Sequence, residues 1–381
     1  MPRRHLGTDV LETAVERMRV LYDQGHRIVV SFSGGKDSTA CLEVCIMAAS
    51  MTGRLPVDVV CRDEEIMYPG TYEFIDRVAN RPEVNMKWII ANQPIINIYG
   101  AREMPYWWVF DPTLDPSEWV RKPPSYAEVI KEINIEYMTI PERFPPDPGK
   151  ELFACIGLRT DESRHRLYGL FTSKGYITKP NRFGVRNARP IYDWGYSDVW
   201  KLTKEFDLDY NKAYDVMLRL GLKPSGMRIG PPTMNAHGIE SLRLAAKAWP
   251  KWFDALCERC PGVRTGVNFG KRALTPQRRH NESWEQCFKR TCIEDAPEWI
   301  AERAEKVMNM YLKRHTRHAS TPFPEITPCF SCTGNIASWK KMAEAMYNGD
   351  CFSMKATSLP QVEPEFFRPG SGTWMGGKPI F

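Results

Sequence analysis

A short stretch near the start of the chain combines residue types that bind phosphate. It places two glycines before a lysine and an acid, with hydroxyls on both sides: Ser31, Ser33, Gly34, Gly35, Lys36, Asp37 and Ser38. Glycine lets backbone N–H groups converge on an anion without a Cβ in the way, and lysine adds positive charge. The stretch is not a Walker loop, because Lys36 is followed by Asp37 rather than by Ser or Thr. An ordinary Gly-Gly turn is the alternative interpretation.

The residues around this loop predict the elements that hold it. The apolar run at residues 28–31 predicts a buried strand, and residues 39–49 predict a helix whose positive dipole end faces the loop. Apolar runs at residues 55–61 and 86–91 predict further strands, separated by a helix at residues 71–80. This alternation favours an α/β fold with a doubly wound, mostly parallel sheet and right-handed crossovers.

A second group of charged residues follows another apolar strand. Gly157 and Arg159 stand in the predicted turn, where the Arg159 guanidinium offers a fork of donors to phosphate oxygens. Glu162 and Arg166 are four residues apart, a spacing that pairs them on one helical face and fixes that fork. A salt-bridged surface helix is the alternative, but the buried strand before it favours a site.

Taken together, these stretches resemble the PP-loop, or N-type, ATP pyrophosphatases, and among them the phosphoadenosine phosphosulfate (PAPS) reductase superfamily. The resemblance rests on residues 33–38, 157–166, 190–200 and 210–214. A closer resemblance, to the prophage-associated immunoglobulin-binding regulator A type, rests on residues 63–65, 107–121, 227–229 and 338–350. Coverage is about residues 25–355. The resemblance implies an adenine nucleotide α-hydrolase-like fold and, for this branch, a ParB-like partner and DNA-related functions in phages.

The resemblance also implies a reaction and a set of roles. ATP would be cleaved between its α- and β-phosphates, with Mg²⁺ neutralising the phosphates and the AMP group passing to an acceptor, which we expect to be a nucleic acid or a sulfur-delivery intermediate in its modification. Lys36 and the backbone of residues 33–38 would hold the β- and γ-phosphates. Asp37 would orient Mg²⁺, and Arg159 would stabilise charge near the α-phosphate. Asp63, after the second strand, would meet the adenosine or Mg²⁺.

These roles define two sets of candidate residues. The catalytic candidates are Lys36, Asp37, Arg159 and Glu162. The nucleotide-binding candidates are Ser31, Ser33, Gly34, Gly35, Lys36, Asp37, Ser38, Asp63, Gly157, Arg159 and Arg166.

Two alternative functions stay open. A sulfonucleotide (PAPS) reductase is the first, but such enzymes attack sulfur with a C-terminal Glu-Cys-Gly-Leu/Ile-His segment, and no cysteine follows Cys351 here. The adjacent paired cysteines of the iron–sulfur type are also missing from the sequence. The second alternative is a nucleotide-dependent, DNA-associated regulator that acts with a ParB-like partner.

The cysteines suggest a metal site near the C-terminus. Cys329 and Cys332 resemble a zinc knuckle, and Cys257 and Cys260 have the same spacing. The four together predict a site for zinc or an iron–sulfur cluster, between which spacing does not decide. The alternative is that Cys257 and Cys260 lie one turn apart on a helix and are simply packed in the core.

Composition bounds the class of protein. The chain has 381 residues, a formal net charge of +6 and 43% hydrophobic residues, enough for a large α/β domain and a smaller one. We expect a PP-loop domain over residues 1–225, with an aromatic and proline-rich insertion at 93–150, and a mainly helical domain over 226–381. No apolar run is long enough for a membrane span or a secretory signal, so we expect a cytoplasmic protein with thiols rather than disulfides.

Aromatic and basic clusters leave further alternatives open. Within the insertion, Trp107, Trp108 and Phe110 are expected either to stack bases and cap the nucleotide or to form a satellite core. Basic residues at 271–290 and 313–318 are expected either to contact nucleic-acid phosphates or to be solvated.

Overall fold

The computed structural model of this chain describes residues 7–91, 94–130, 140–233, 238–270, 274–332, 336–351, 353, 355–356, 359–360 and 362, except the side chains of 91, 164–165, 225 and 238–240. The chain separates into two compact units. The first comprises Met1–Ala91 and Pro123–Gly230, and the second Asn92–Lys122 and Pro231–Phe381. Residues 93–122 of the predicted insertion fall in the second unit, and the predicted domain bounds of 1–225 and 226–381 stay a prediction.

Strands and helices alternate in the first unit, and helices dominate the second. The strands are β1 (Arg27–Phe32), β2 (Val57–Asp63), β3 (Val84–Ala91), β4 (Pro94–Ile96), β5 (Tyr106–Trp108), β6 (Glu128–Ile130), β7 (Leu152–Cys155) and β8 (Val185–Ala188). The helices are α1 (Val10–Asp23), α2 (Lys36–Thr52), α3 (Thr71–Ala79), α4 (Ile140–Arg143), α5 (Arg164–Ser173), α6 (Tyr196–Glu205), α7 (Ala213–Arg219), α8 (Gly238–Ala248), α9 (Pro250–Arg259), α10 (Val263–Phe269), α11 (Trp284–Lys289), α12 (Glu298–His318) and α13 (Trp339–Met346). Among the described helices, none has both the length and the apolar character that crossing a membrane requires.

The first unit is organised on a six-stranded sheet whose spatial order is β6-β3-β2-β1-β7-β8. All neighbouring strands run parallel, and Val30 of β1 lies opposite Val59 of β2 and Cys155 of β7. The chain builds one half of the sheet outward from β1 and then crosses to the other side of β1 to form β7. The carboxyl ends of β1 and β7 therefore lie where the strand order reverses, which is where open α/β sheets bind ligands.

Alternate residues of β1 face two apolar clusters, as the period of a strand requires. Ile28 and Val30 pack in a cluster with residues of α1, α2, α3 and α6, whereas Val29 packs with Ile140 and Phe144 at α4. Helices thus cover both faces of the parallel sheet. The predicted α/β, doubly wound fold is confirmed.

The second unit combines a two-stranded antiparallel ribbon with helices α8 to α13. In the ribbon, β4 pairs with β5 so that Ile95 lies opposite Trp107. Apolar residues of α11, α12 and α13 form one core cluster, in which Phe288, Val307 and Met342 are fully buried. The mainly helical character of this part of the chain agrees with its helical hydrophobic periodicity.

Candidate functional site

The predicted phosphate loop, residues 33–38, follows β1 directly and is stabilised by hydrogen bonds of its own side chains. Ser38 Oγ accepts hydrogen bonds from the backbone N–H groups of Ser33 (3.3 Å) and Gly35 (3.2 Å), and donates to the Gly35 carbonyl (2.9 Å). Gly34 has a φ of +68°, and a Cβ there would lie 2.8 Å from the Ile75 side chain. Glycine is therefore required at this position by both backbone conformation and space.

The helix after the loop begins earlier than expected. Sequence analysis starts it at about residue 39, whereas α2 begins at Lys36, because the carbonyl of the N-cap Gly35 already accepts the N–H of Thr39 (2.8 Å). Lys36 and Asp37 thus occupy the first turn of α2. The partial positive charge of the helix N-terminus consequently acts where the Lys36 ammonium also lies.

The loop after β7 packs against the phosphate loop without an intervening side chain. A Cβ on Gly157 would lie 2.6 Å from the carbonyl carbon of Asp37 and 2.8 Å from the backbone nitrogen of Ser38. Such distances are shorter than real Cβ atoms adopt, so Gly157 permits a backbone-to-backbone contact. This contact brings the residues that follow Gly157 to the start of α2.

A chain of alternating charges links the two loops. Lys36 Nζ donates to Asp37 Oδ2 (2.8 Å), and Arg159 Nε donates to Asp37 Oδ1 (2.7 Å). Arg159 Nη1 lies 2.8 Å from both carboxylate oxygens of Asp161. Arg159 is only 3% exposed, so this buried guanidinium depends for compensation on Asp37, Asp161 and Glu162, whose Oε1 lies 3.8 Å from Arg159 Nη2. Both oxygens of Asp37 are engaged by cations, which makes Asp37 the centre of the network.

Two further guanidinium groups face the same region. Arg166 forms the expected ion pair with Glu162. Burial and the nearby charge of Arg228 lower the pKa of Arg166, yet a guanidinium stays protonated in a protein. Two cations held close enough to oppose each other's charge favour the binding of an anion between them.

A cavity of about 330 Å³ opens between these loops. It is lined by Ser31, Ser33, Gly35, Lys36, Asp37, Ser38, Gly157, Glu162, Arg166, Tyr214, Met227, Arg228, Ile229 and Gly230. A second cavity, of about 530 Å³, shares Lys36, Glu162, Met227 and Arg228 with it and adds Arg159 and Asp161. Volumes of this size are typical of sites for small-molecule ligands and cofactors. Ser31 Oγ is buried with no hydrogen-bond partner among the described residues, so it is available to a ligand.

Two residues with no role in the sequence-based candidate sets also hold the loop. Asn211, 1% exposed, donates to the Gly34 carbonyl (3.2 Å) and to Thr71 Oγ1 (2.8 Å). The Tyr214 hydroxyl accepts the backbone N–H of Lys36 (3.0 Å), and burial raises the pKa of this phenol. Both lie in the stretch 210–214 that supports the family resemblance, which was the available signal.

Asp63 occupies a different environment from the expected one. It is 1% exposed; its Oδ2 accepts the Trp88 indole N–H (2.9 Å) and its Oδ1 accepts the backbone N–H of Glu65 (2.9 Å). Asp63 is not among the residues that line either cavity. Its carboxylate instead fixes the turn after β2.

The aromatic insertion forms a core. Trp107, Trp108 and Phe110 are 3%, 2% and 6% exposed, within the second unit. Of the two open interpretations, burial favours the satellite core, because a ring that stacks on a base must present a free face. Of the basic residues, Lys289 and Arg290 pair with Glu285 and Glu282, and residues 271–273 lie outside the described part of the chain.

The structure does not bring the four predicted cysteine ligands together. Among the described residues, Cys329 and Cys332 group with His315, and neither Cys257 nor Cys260 belongs to that group. Cys257 lies in α9 and Cys260 caps the C-terminus of the same helix. The reason is that a three-residue spacing also fits one turn of an α-helix, which was the alternative interpretation.

A second sulfur group, which sequence analysis missed, lies in the core of the first unit. Cys155 Sγ is 3.2 Å from Cys41 Sγ and 3.4 Å from Cys45 Sγ, and all three residues are 0% exposed. Burial raises the pKa of the Cys155 thiol. The only sequence signal was the four-residue spacing of Cys41 and Cys45, which aligns them on one face of α2.

Comparison with known proteins finds relatives of low sequence identity. No family model matches it. It is 24% identical to the uncharacterized protein YbdN of Escherichia coli K12, over 95% of this chain and 94% of that protein. It is 26% identical to the adenosine 5'-phosphosulfate reductase of Staphylococcus saprophyticus, over 55% of this chain and 74% of that enzyme.

Solved structures resemble the chain more weakly. The Candida glabrata FMN adenylyltransferase in complex with ATP aligns at a TM-score of 0.35 and 13% identity, over 54% of this chain and 57% of that one. The aligned part is thus less than two thirds of that enzyme. A TM-score this low does not support a conclusion about this chain, so the predicted family resemblance is judged by the sequence relatives alone.

The chain is similar in sequence to adenosine 5'-phosphosulfate and phosphoadenosine 5'-phosphosulfate reductases. This similarity supports the predicted resemblance to the PP-loop, adenine nucleotide α-hydrolase-like superfamily. The closer resemblance to the immunoglobulin-binding regulator A type stays a prediction.

Proposed function

We propose that the carboxyl edge of β1 and β7 binds ATP with Mg²⁺ and cleaves it between the α- and β-phosphates, transferring the adenylyl group to an acceptor. The observation that carries this proposal is the arrangement of Lys36, Arg166 and Arg228 around a cavity whose floor is the phosphate loop. Backbone N–H groups, a helix N-terminus and several cations converge there, which is the combination that binds a polyphosphate.

The roles follow from how each cation is already engaged. Lys36 binds the β- and γ-phosphates together with the N–H groups of residues 33–38 that do not already donate to Ser38 Oγ or the Tyr214 hydroxyl. Arg166 and Arg228, which line the same cavity, contact the phosphate chain. Arg159 uses Nε and Nη1 on Asp37 and Asp161, so it acts as a positioning residue that holds Asp37 at the start of α2. This differs from the direct contact to the α-phosphate implied by the resemblance.

The reaction needs an in-line attack and a stabilised leaving group. A nucleophilic oxygen or sulfur of the acceptor forms a bond to the α-phosphorus, the bond from that phosphorus to the bridging oxygen breaks, and pyrophosphate leaves. Negative charge accumulates on the pyrophosphate, where fixed cations and N–H groups stabilise the transition state.

Mg²⁺ fits the donor set of the site. Asp37, Asp161 and Glu162 place hard carboxylate oxygens at the cavities, and Mg²⁺ is usually bound by one or two carboxylates together with substrate phosphates. Asp37 is the residue we expect to hold it, because each of its oxygens accepts one hydrogen bond from Lys36 or Arg159 and keeps a further lone pair for the ion. The ion supplies charge neutralisation on the phosphates.

For the acceptor of the adenylyl group, we propose only a chemical class. A nucleic acid or a sulfur-delivery intermediate agrees with the implied chemistry, and a regulator acting with a ParB-like partner is kept only as a consequence of the branch resemblance. The second candidate function is reduction of an adenosine phosphosulfate, which the named reductase relative favours. The two candidates differ in product, because one releases pyrophosphate and the other sulfite.

To test the proposal, the protein is incubated with Mg²⁺, ATP radiolabelled at the α-phosphate, and either transfer RNA or duplex DNA as the acceptor probe. The products that carry the label are then identified. We expect label in AMP or in the nucleic acid, with the rate lowered at least ~100-fold in Lys36→Ala. Lys201→Ala is the matched control, since Lys201 lies on α6 of the same unit with its side chain 61% exposed. Thiol-dependent sulfite release from adenosine phosphosulfate, without AMP formation from ATP, would replace the proposal by the second candidate.

A further inference from the structure

The second unit contains a group of three side chains that suits a metal ion. His315 lies in the last turn of α12, and Cys329 and Cys332 lie in a turn further along the chain. One ring nitrogen and two sulfur atoms lie within 4.8 Å of one another. We propose that His315, Cys329 and Cys332 bind a single Zn²⁺ ion. This proposal concerns the second unit and does not rest on the proposed ATP chemistry.

The histidine is oriented for metal binding by its other ring nitrogen. Nε2 lies 2.7 Å from the Thr321 carbonyl oxygen, which only accepts, so Nε2 carries the proton. In the neutral imidazole Nδ1 is then the nitrogen with a free lone pair, and it lies 3.1 Å from Cys332 Sγ. An imidazole whose remote N–H is held by a carbonyl is the usual outer support of a metal-ligating histidine. The edge-on ring of Phe323, with centroids 5.3 Å apart, further restricts its rotation.

The cysteine turn is also organised for metal binding. The backbone N–H groups of Cys332 and Ser331 donate to Cys329 Sγ. The N–H of Cys329 itself donates to the Ala337 carbonyl (2.9 Å), which closes the turn. N–H groups directed at a sulfur favour the thiolate, which is the form that binds metals.

The spacing and the ligand types favour zinc over an iron–sulfur cluster. With Zn–S near 2.3 Å and Zn–N near 2.0–2.1 Å, tetrahedral geometry separates ligand atoms by roughly 3.5–3.8 Å. This separation falls between the 3.1 Å from His315 Nδ1 to Cys332 Sγ and the 4.8 Å within which all three ligand atoms lie. A cluster is held mainly by cysteine thiolates, each on its own iron atom, and therefore needs a wider ring of ligands. Zinc also needs a fourth ligand, which water would supply.

Metal content of the full-length chain tests the proposal directly. Protein purified without chelators and equilibrated with Zn²⁺ should retain about one zinc per chain, and Cys329→Ser should retain at least ~10-fold less. Cys257→Ser is the matched control, because Cys257 is a partly exposed cysteine of the same unit and should leave the zinc content unchanged. Equal zinc in Cys329→Ser, or its loss in Cys257→Ser, would overturn the assignment.

A spectroscopic measurement on the unmutated chain covers the case in which a variant does not fold. Protein stripped with a chelator and titrated with Co²⁺ should develop sulfur-to-cobalt charge-transfer absorption and the intense visible bands of a tetrahedral site, saturating at about one Co²⁺ per chain. Added Zn²⁺ should abolish both absorptions. Iron accompanied by acid-labile sulfide, or the absence of any thiolate-to-cobalt absorption, would contradict the zinc site.

Discussion

The proposed ATP site of the first unit (the ATP site below) and the proposed zinc site of the second, the Cys–His group formed by His315, Cys329 and Cys332, would hold their ligands in different ways. The ATP site distributes N–H groups and cations over the loops after β1 and β7 and over residues 211–230, around cavities of about 330 and 530 Å³. The Cys–His group places three ligand atoms within 4.8 Å. A large anion that loses one contact can still bind, although with lower affinity. A small metal ion loses its site when one of its three protein ligands is removed. The predictions below test that difference.

Removal of the metal from the Cys–His group should have the largest effect. A ligand present at a thousandfold excess over its Kd stabilises the folded state by about 4 kcal/mol. Treatment with phenanthroline should therefore lower the melting temperature of the second unit in scanning calorimetry, and Zn²⁺ should restore it. ATP affinity should stay unchanged, because no proposed zinc ligand lines the ATP cavities. A parallel fall in ATP affinity would show that the two sites are not independent.

Gly157→Ala should be the most damaging single substitution at the ATP site. The added methyl would overlap the backbone of Asp37 and Ser38. Because the backbone would have to shift to accommodate it, we expect this overpacking to lower the free energy of unfolding by about 3 kcal/mol. Urea unfolding and ATP titration should both report the loss. Gly169→Ala is the control, since a Cβ at this position in α5 meets nothing within 4 Å and alanine favours a helix by up to about 1 kcal/mol. Similar losses in both variants would contradict the close loop contact.

Arg159→Ala should destabilise the protein by about 2 kcal/mol, because Asp37 and Asp161 lose a buried charged partner. We also expect ATP affinity to fall at least ~10-fold, since Lys36 alone would then hold Asp37. Arg264→Ala is the comparison: Arg264 pairs with Asp254 on the surface, where solvent screens the pair, so its removal should leave the stability nearly unchanged. Unchanged ATP binding in Arg159→Ala would remove Arg159 from the site.

Asn211→Ala should have the smallest of the four effects, about 1 kcal/mol of unfolding free energy. The variant loses the donor that holds the Gly34 carbonyl, so ATP affinity should fall a few-fold. Asn211→Asp keeps the acceptor for the N–H of Ala213 but directs a carboxylate at that carbonyl, and should bind ATP more weakly than Asn211→Ala. If isothermal titration calorimetry instead showed tighter ATP binding by Asn211→Asp than by Asn211→Ala, Asn211 would act only as the acceptor for the N–H of Ala213 at the start of α7.

The fold and the phosphate loop could be predicted because their information is local. Strand and helix periodicities predict the parallel sheet, and residues 33–38 are contiguous, so their mutual geometry follows from one turn. Asn211 and Tyr214 could not be assigned a role in this way, because they reach the loop from 177 and 178 residues away. Asp63 is the opposite case, a residue whose position was predicted but whose hydrogen-bond partner was not. Its place at the end of β2 was predicted, but the Trp88 indole that occupies its carboxylate lies on the neighbouring strand.

The metal site shows the limit of motif spacing. Two cysteines three residues apart indicate a pair of ligands but do not say what completes the site. Cys257 and Cys260 satisfied the same spacing on a helix, and the third member of the group proved to be His315, 14 residues before Cys329. Only packing of the end of α12 against the cysteine turn could reveal it.

The central claim is that the loop after β1 holds the triphosphate of ATP. The most direct test is a crystal structure of the full chain with Mg²⁺ and α,β-methylene-ATP, whose α–β linkage resists cleavage. We expect the β- and γ-phosphates to contact Lys36 Nζ and the N–H groups of residues 33–38, with the α-phosphorus open to an acceptor. A triphosphate bound elsewhere, or a saturated crystal whose loop contacts no phosphate, would contradict the account.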